Sequence, residues 1–128
     1  MKFDLRTGIS LELKKVVKPE DSAKVYGSGL LDVFATPALI AFMEKCCMEL
    51  AGSRLPEGYG SVGTAVNIKH IKASQVGTKI WCRATLSGSE NRKLEFTLEA
   101  GDDSGLIGSG IHKRYIINEE EFLKNLNA

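Results

Sequence analysis

Neither sign of charge is in excess: 17 Lys and Arg stand against 16 Asp and Glu, a net +1 at neutral pH. A dedicated nucleic-acid binder needs a clustered positive surplus to meet phosphates, so nucleic acid is excluded as a partner. No apolar run approaches the roughly 18 residues that a membrane span requires, and no membrane partner is expected. The segment Met1-Lys2-Phe3-Asp4-Leu5-Arg6 has no apolar core of the kind that directs export. Cysteine is scarce and odd in number: three, with Cys46 and Cys47 adjacent. That fits reduced thiols in a cytoplasm and argues against a disulfide framework. Histidine is scarcer still. His70 and His112 stand alone, with no C-x-x-C or H-x-x-x-H spacing, so no metal and no cofactor is expected. A serine nucleophile elbow, G-x-S-x-G, is missing too. Gly58-Tyr59-Gly60-Ser61-Val62-Gly63 matches G-x-G-x-x-G letter for letter. A dinucleotide site also needs a strand before it, a helix after it and an acid about 20 positions on. Here a loop precedes, a strand follows, and Arg83 holds the acidic position.

What remains is an ordinary globular composition, 128 residues with 43% hydrophobic and 26% charged. It predicts a single domain over residues 1–128 that buries about two-thirds of its unfolded surface. Ile9, Leu11, Leu13 and Val17 alternate with Ser10, Glu12 and Lys14, the period of a half-buried strand. Pro19 ends it, and 18–31 reads as a loop centred on Gly27-Ser28-Gly29. Thr36-Pro37 then starts the one long helix, with Thr36 as N-cap and proline at the first helical position. Leu39, Phe42, Met43, Cys46 and Leu50 recur at helical spacing, and Gly52 gives the stop. Ile40, Ala41, Cys47 and Met48 add a second apolar flank, so this helix needs cover on most of its circumference. Four strand-like runs follow, at about 62–73, 78–87, 93–101 and 106–118. Turn residues separate them closely enough to make them antiparallel neighbours. A last segment, 119–126, reads as one or two helical turns. One strand, one central helix and an antiparallel meander predict an α+β protein. The arrangement that suits such a helix is the hotdog fold, an antiparallel sheet of about five strands wrapped around it, with other α+β arrangements open.

Polar residues in apolar neighbourhoods mark the candidate site. Glu44 has Ile40, Ala41, Cys47 and Met48 three and four positions away, whereas Glu49 has Lys45 one turn back. An unpaired carboxylate in such a setting is costly, and such groups concentrate at functional sites, although a boundary Glu covered by loops fits the pattern too. In the run from Val62, the even positions Val62, Thr64, Val66, Ile68 and His70 form the row expected to face the helix. His70 there is either a satisfied core histidine or an acid–base group. Capping alone would explain Thr36, yet a helix N-terminus is also where an oxyanion finds free N–H groups. His112 and Arg114 share a strand face with Gly108 and Gly110, whose missing side chains leave room for a packed helix or for a ligand.

Val33-Phe34-Ala35-Thr36, Met43-Glu44, Gly63-Thr64-Ala65 with His70, and Gly108-Ser109-Gly110 with His112 and Arg114 occur in that order. Together they resemble the fluoroacetyl-CoA thioesterase-like branch of the hotdog thioesterase superfamily, from about Val33 to Ile117. The resemblance implies acyl-CoA thioester hydrolysis, with Thr36, Glu44 and His70 as catalytic residues and Gly63, Thr64 and Arg114 binding substrate. The fluoroacetate-specific type has phenylalanines just ahead of the helix, acting as a pocket lid. Here 27–31 has none, so the reaction carries over better than the acyl group. Lys69, Lys72, Arg92 and Lys113 are candidates to meet CoA phosphates. Thr36 and Glu44 lie about 12 Å apart along one helix, too far to touch one carbonyl, which predicts a homodimer with a shared site, with a higher homo-oligomer open. Two other classes fit the same residues, a hotdog hydratase or dehydratase and a non-catalytic acyl-CoA binding module.

Overall fold

The structure, a computed structural model, describes Phe3 and residues 5–127. The hexapeptide read above for an export signal therefore lies partly outside the described residues. Strand β1 (Ser10–Val16) alternates exposed and half-buried side chains as its period predicts. Its odd positions face inward, Lys15 included: that ammonium reaches Asp21 at 2.8 Å and lies 5.8 Å above both the Phe34 and Phe42 rings. The stretch read as a loop contains a 3-10 turn (Pro19–Asp21) and a single-turn helix α1 (Ala23–Tyr26). Two local bonds make them. Asp21 Oδ2 accepts from the Lys18 N–H at 2.9 Å, and Ser22 Oγ accepts from the Val25 N–H at 3.3 Å.

The long helix α2 (Thr36–Gly52) buries Leu39, Phe42, Met43, Cys46, Cys47 and Leu50, with Ala38 and Ala51 between them. Each large side chain among these contributes about 1.5–3 kcal/mol of transfer free energy. The seam on the opposite side is open: Ile40 and Glu44 are half-buried, Ala41 is exposed and Met48 is 42% exposed. This helix is thus covered on one side by its own chain; of the second apolar flank Cys47 is buried and Ile40 half-buried, while Ala41 and Met48 are exposed.

Strands β2 (Tyr59–His70), β3 (Lys79–Glu90), β4 (Lys93–Asp102) and β5 (Gly105–Asn118) complete one five-stranded sheet in the order β1-β3-β4-β5-β2. Every pairing is antiparallel. Ile80, Cys82, Ala84 and Leu86 of β3 and Leu94, Phe96, Leu98 and Ala100 of β4 form the floor beneath α2. Helix α3 (Glu119–Leu126) closes the chain, capped by Asn118, whose side chain accepts from the Glu121 N–H. The three cysteines are free and fully buried. No helix among the described residues is long and apolar enough to cross a membrane.

Two glycines are explained by packing. A Cβ on Gly108 would meet the Leu39 methyl at 2.9 Å, and one on Gly110 would run into the Asn67 carbonyl of β2. The missing side chains on β5 therefore admit the helix and the neighbouring strand.

Candidate active site

Thr36 is the first residue of α2 and not its cap; Ala35 holds that position and offers no side-chain bond. The Thr36 hydroxyl is used elsewhere. Its Oγ1 lies 2.9 Å from His70 Nδ1, at the end of β2. His70 is half-buried, with Phe34 edge-on at 6.3 Å between ring centroids. Its Nε2 is buried without a hydrogen-bond partner. Burial holds the imidazole below the ordinary histidine pKa, which favours the neutral form. The pair borders a pocket of about 340 Å³ lined by Ala23, Val33, Phe34, Thr36, His70 and Ile71.

Glu44 stands at the other end of the seam. Its side chain is 40% exposed, so it is not the enclosed carboxylate that its helical neighbours suggested. Gly63 and His112 face it. A Cβ on Gly63 would approach Glu44 Oε2 at 3.0 Å and His112 Cε1 at 3.1 Å, and Oε2 lies 3.8 Å from His112 Nε2. Arg114 completes the group. Its Nε donates to Ser61 Oγ at 2.7 Å, Nη2 to the Ser61 carbonyl at 2.8 Å and Nη1 to His112 Nε2 at 3.0 Å.

A bulge between Gly63 and Ala65 explains why this cluster was only partly legible. From Val66 to His70 the even positions face the helix, as the alternation predicts. On the other side of the extra residue the faces exchange. Ser61 and Gly63, opposite Ile116 and Arg114, point inward, while Val62 pairs with Tyr115 on the outer face. The single row from Val62 to His70 is therefore corrected. Thr64 is exposed at the bulge and borders an open groove with Lys113 and Tyr115. Ser61, the main anchor of Arg114, carries no sequence signal apart from its place between two glycines.

Within one chain, then, Thr36 and His70 are together, Glu44, Gly63 and Arg114 gather around His112, and no hydrogen bond or ion pair among the described residues joins the two groups. Of the four cations considered for CoA phosphates, Lys72 is paired with Asp102 at 3.1 Å and Lys113 with Glu95 at 3.8 Å. Arg92 lies over Phe3 and Tyr59.

A sheet curved about one long helix, with a threonine–histidine pair and a carboxylate along the helix seam, defines a hotdog protein of the thioesterase class. The family model for FlK, fluoroacetyl-CoA-specific thioesterase, matches residues 17–120, and the chain belongs to that family of thioester hydrolases. The fluoroacetyl-CoA thioesterase of Streptantibioticus cattleyicolor is 36% identical over 91 residues, 71% of this chain and 66% of that protein, slightly under two thirds of its length. A variant of the fluoroacetyl-CoA-specific thioesterase FlK, solved with fluoroacetate and CoA, is 31% identical with a TM-score of 0.86, over 92% of this chain and 99% of that one. A hot-dog-like protein from Thermanaerovibrio acidaminovorans, 21% identical, has a TM-score of 0.86 over 94% of this chain and 89% of its own, a likeness of fold.

Proposed function

We propose that this chain hydrolyses the thioester of a small acyl-CoA, as a cytoplasmic homodimer whose pocket joins Thr36 and His70 of one protomer to Glu44 of the partner subunit. The 2.9 Å contact between Thr36 Oγ1 and His70 Nδ1 at the pocket carries the reading. Thioester hydrolysis needs a water or carboxylate nucleophile, stabilisation of the developing oxyanion and a proton for the departing thiolate. Glu44 serves as base or nucleophile. His70, neutral before the reaction, carries the proton to the sulfur. Thr36 and the free N–H groups of the first turn of α2 receive the carbonyl oxygen. Gly63 and Arg114 meet the substrate; Thr64, exposed at the bulge beside Lys113 and Tyr115, is not among these contacts.

The open helix seam supports a shared site. Thr36, Ile40, Glu44 and Met48 follow one another at i+4, and two antiparallel copies of that seam would cover each other and bring Thr36 of one copy near the opposite carboxylate. Strand β2 is also an unpaired sheet edge 12 residues long, a liability that a second copy removes.

A thiol-release screen over short-chain, branched and aromatic acyl-CoAs tests the activity. At least one should be turned over, and Glu44→Gln should lower that rate by about 10²–10⁴ with the fold intact. Turnover within about tenfold of the parent would remove Glu44 from the chemistry. A change in the acyl double bond without thiol release would mean a hydratase. Ligand-induced stabilisation without any reaction would mean a binding module.

A further inference from the structure

His112 belongs to neither the proposed catalytic trio nor the substrate contacts, yet it is 1% exposed at the centre of the second cluster. Its Nδ1 lies 2.9 Å from the Ala65 carbonyl, the residue that ends the β2 bulge. A carbonyl only accepts, so the proton sits on Nδ1. Arg114 Nη1, 3.0 Å from Nε2, only donates, so Nε2 presents a lone pair. Both partners thus demand one species, the neutral Nδ1–H tautomer. Glu44 Oε2 lies 3.8 Å from that same Nε2, beyond hydrogen-bond range, and no ion pair joins Glu44 to Arg114 among the described residues. Were the imidazole absent, a buried cation and a half-buried carboxylate would stand across an empty gap, free to close on each other.

We propose that His112 is a positioning residue, a neutral spacer that fixes the Arg114 guanidinium by accepting from it and keeps that cation from capturing Glu44. The inference deepens the thioesterase reading and rests on it for the roles of Glu44 and Arg114. An acidic side chain at this position would hold Arg114 equally well but would neutralise it. The imidazole leaves its positive charge intact, and three of its five N–H groups are used by Ser61 and His112. Two donors remain for the substrate. Glu44, for its part, keeps its lone pairs for the reaction.

The test is a set of variants assayed by thiol release with acetyl-CoA and fluoroacetyl-CoA. Asparagine at 112 reaches only the Nδ1 position, whereas glutamine places an oxygen acceptor near Nε2. His112→Asn should lower kcat/KM by about ten- to a hundredfold, the worth of one hydrogen bond to a charged group, and His112→Gln should recover most of that loss. In an Arg114→Gln background, His112→Asn should cost little more, because the spacer acts through the guanidinium. Equal losses in the Asn and Gln variants, or losses that multiply with Arg114→Gln, would overturn the proposal. Imidazole nitrogen-15 shifts of the unsubstituted protein at pH 7 provide an arm that needs no variant to fold. An unprotonated Nε2 supports the spacer, and a proton there overturns it. Should the unsubstituted protein release no thiol from any acyl-CoA, the thioesterase reading fails, and the nitrogen-15 result still decides the tautomer.

Discussion

Gly63 has a backbone that alanine can adopt, so its lack of a side chain has to be explained by what stands over it. The intruding Cβ would sit 3.0 Å from Glu44 Oε2, the far end of a flexible and partly exposed chain. The same Cβ would stand 3.1 Å from the buried His112 ring, so Gly63→Ala should fold with a melting temperature lowered by a few degrees and lose activity by about tenfold or more, because the carboxylate moves away from its working position. A variant with full activity would show that Glu44 tolerates displacement. His112 and His70 bear on pH. Burial is the main cause that holds each below the ordinary histidine value of 6.5; for His112 the Ala65 bond opposes this and Arg114 adds to it. The unfolded chain thus takes up these protons near pH 6.5 and the folded chain only lower down, so stability is full above 6.5 and lost as pH falls below it. The carboxyls of Asp21 and Asp102, also depressed, act only below about 3.8. Thermal melting at pH 7 and pH 5 should show this loss, and His112→Gln should reduce it. An undiminished loss would take His112 out of the account.

Among the elements, those whose periodicity is uninterrupted were legible. The final helix occupies the residues its pattern marked out, and the four later strands fall within a few residues of theirs, because alternation and turn residues are local properties. What was not legible depended on pairing. The extra residue in β2 is defined only by the strand opposite it, so the inward row could be drawn correctly from Val66 to His70 and not across Thr64 to Val62. Thr36 shows a similar limit: capping propensity singled it out for a local reason, while the partner of its hydroxyl, His70, comes from 34 positions away. Likewise Glu44 has apolar helical neighbours but an open side that only tertiary structure reveals. Gly108 and Gly110 are the converse, a visible signal with two readings that packing decides. Gly110→Ala would force a Cβ against the Asn67 carbonyl in the β2–β5 ladder, where no flexible side chain can yield. It should cost about 3 kcal/mol or more in denaturant unfolding, well beyond an ordinary surface change. A loss under about 1 kcal/mol would mean that the two strands separate easily there.

At the scale of the whole molecule, the division of the site into two groups along one helix is the observation that the proposed dimer has to explain. On that proposal, Thr36→Val and Glu44→Gln should each spoil every pocket of their own homodimer. Mixed and allowed to exchange, they should regain activity, since each heterodimer would carry one pocket with neither substitution. About half of the protomers pair unlike at equal mixing, so regain should approach a quarter of parental activity per pocket. No regain, with exchange confirmed independently, would confine the chemistry to one chain.

The burial of all three cysteines matters beyond packing, because hydrolysis of an acyl-CoA is followed through the thiol it sets free. Cys46, Cys47 and Cys82 are shut away from any reagent in solution, and burial pushes the Cys47 thiol well above its usual range, away from the reactive thiolate. The folded chain is accordingly silent to a thiol-reactive dye, and colour in the assay would report product. An unfolded variant gives itself away in the same cuvette by three equivalents of colour without substrate, so an inactive enzyme and a collapsed one are told apart before any other measurement is made.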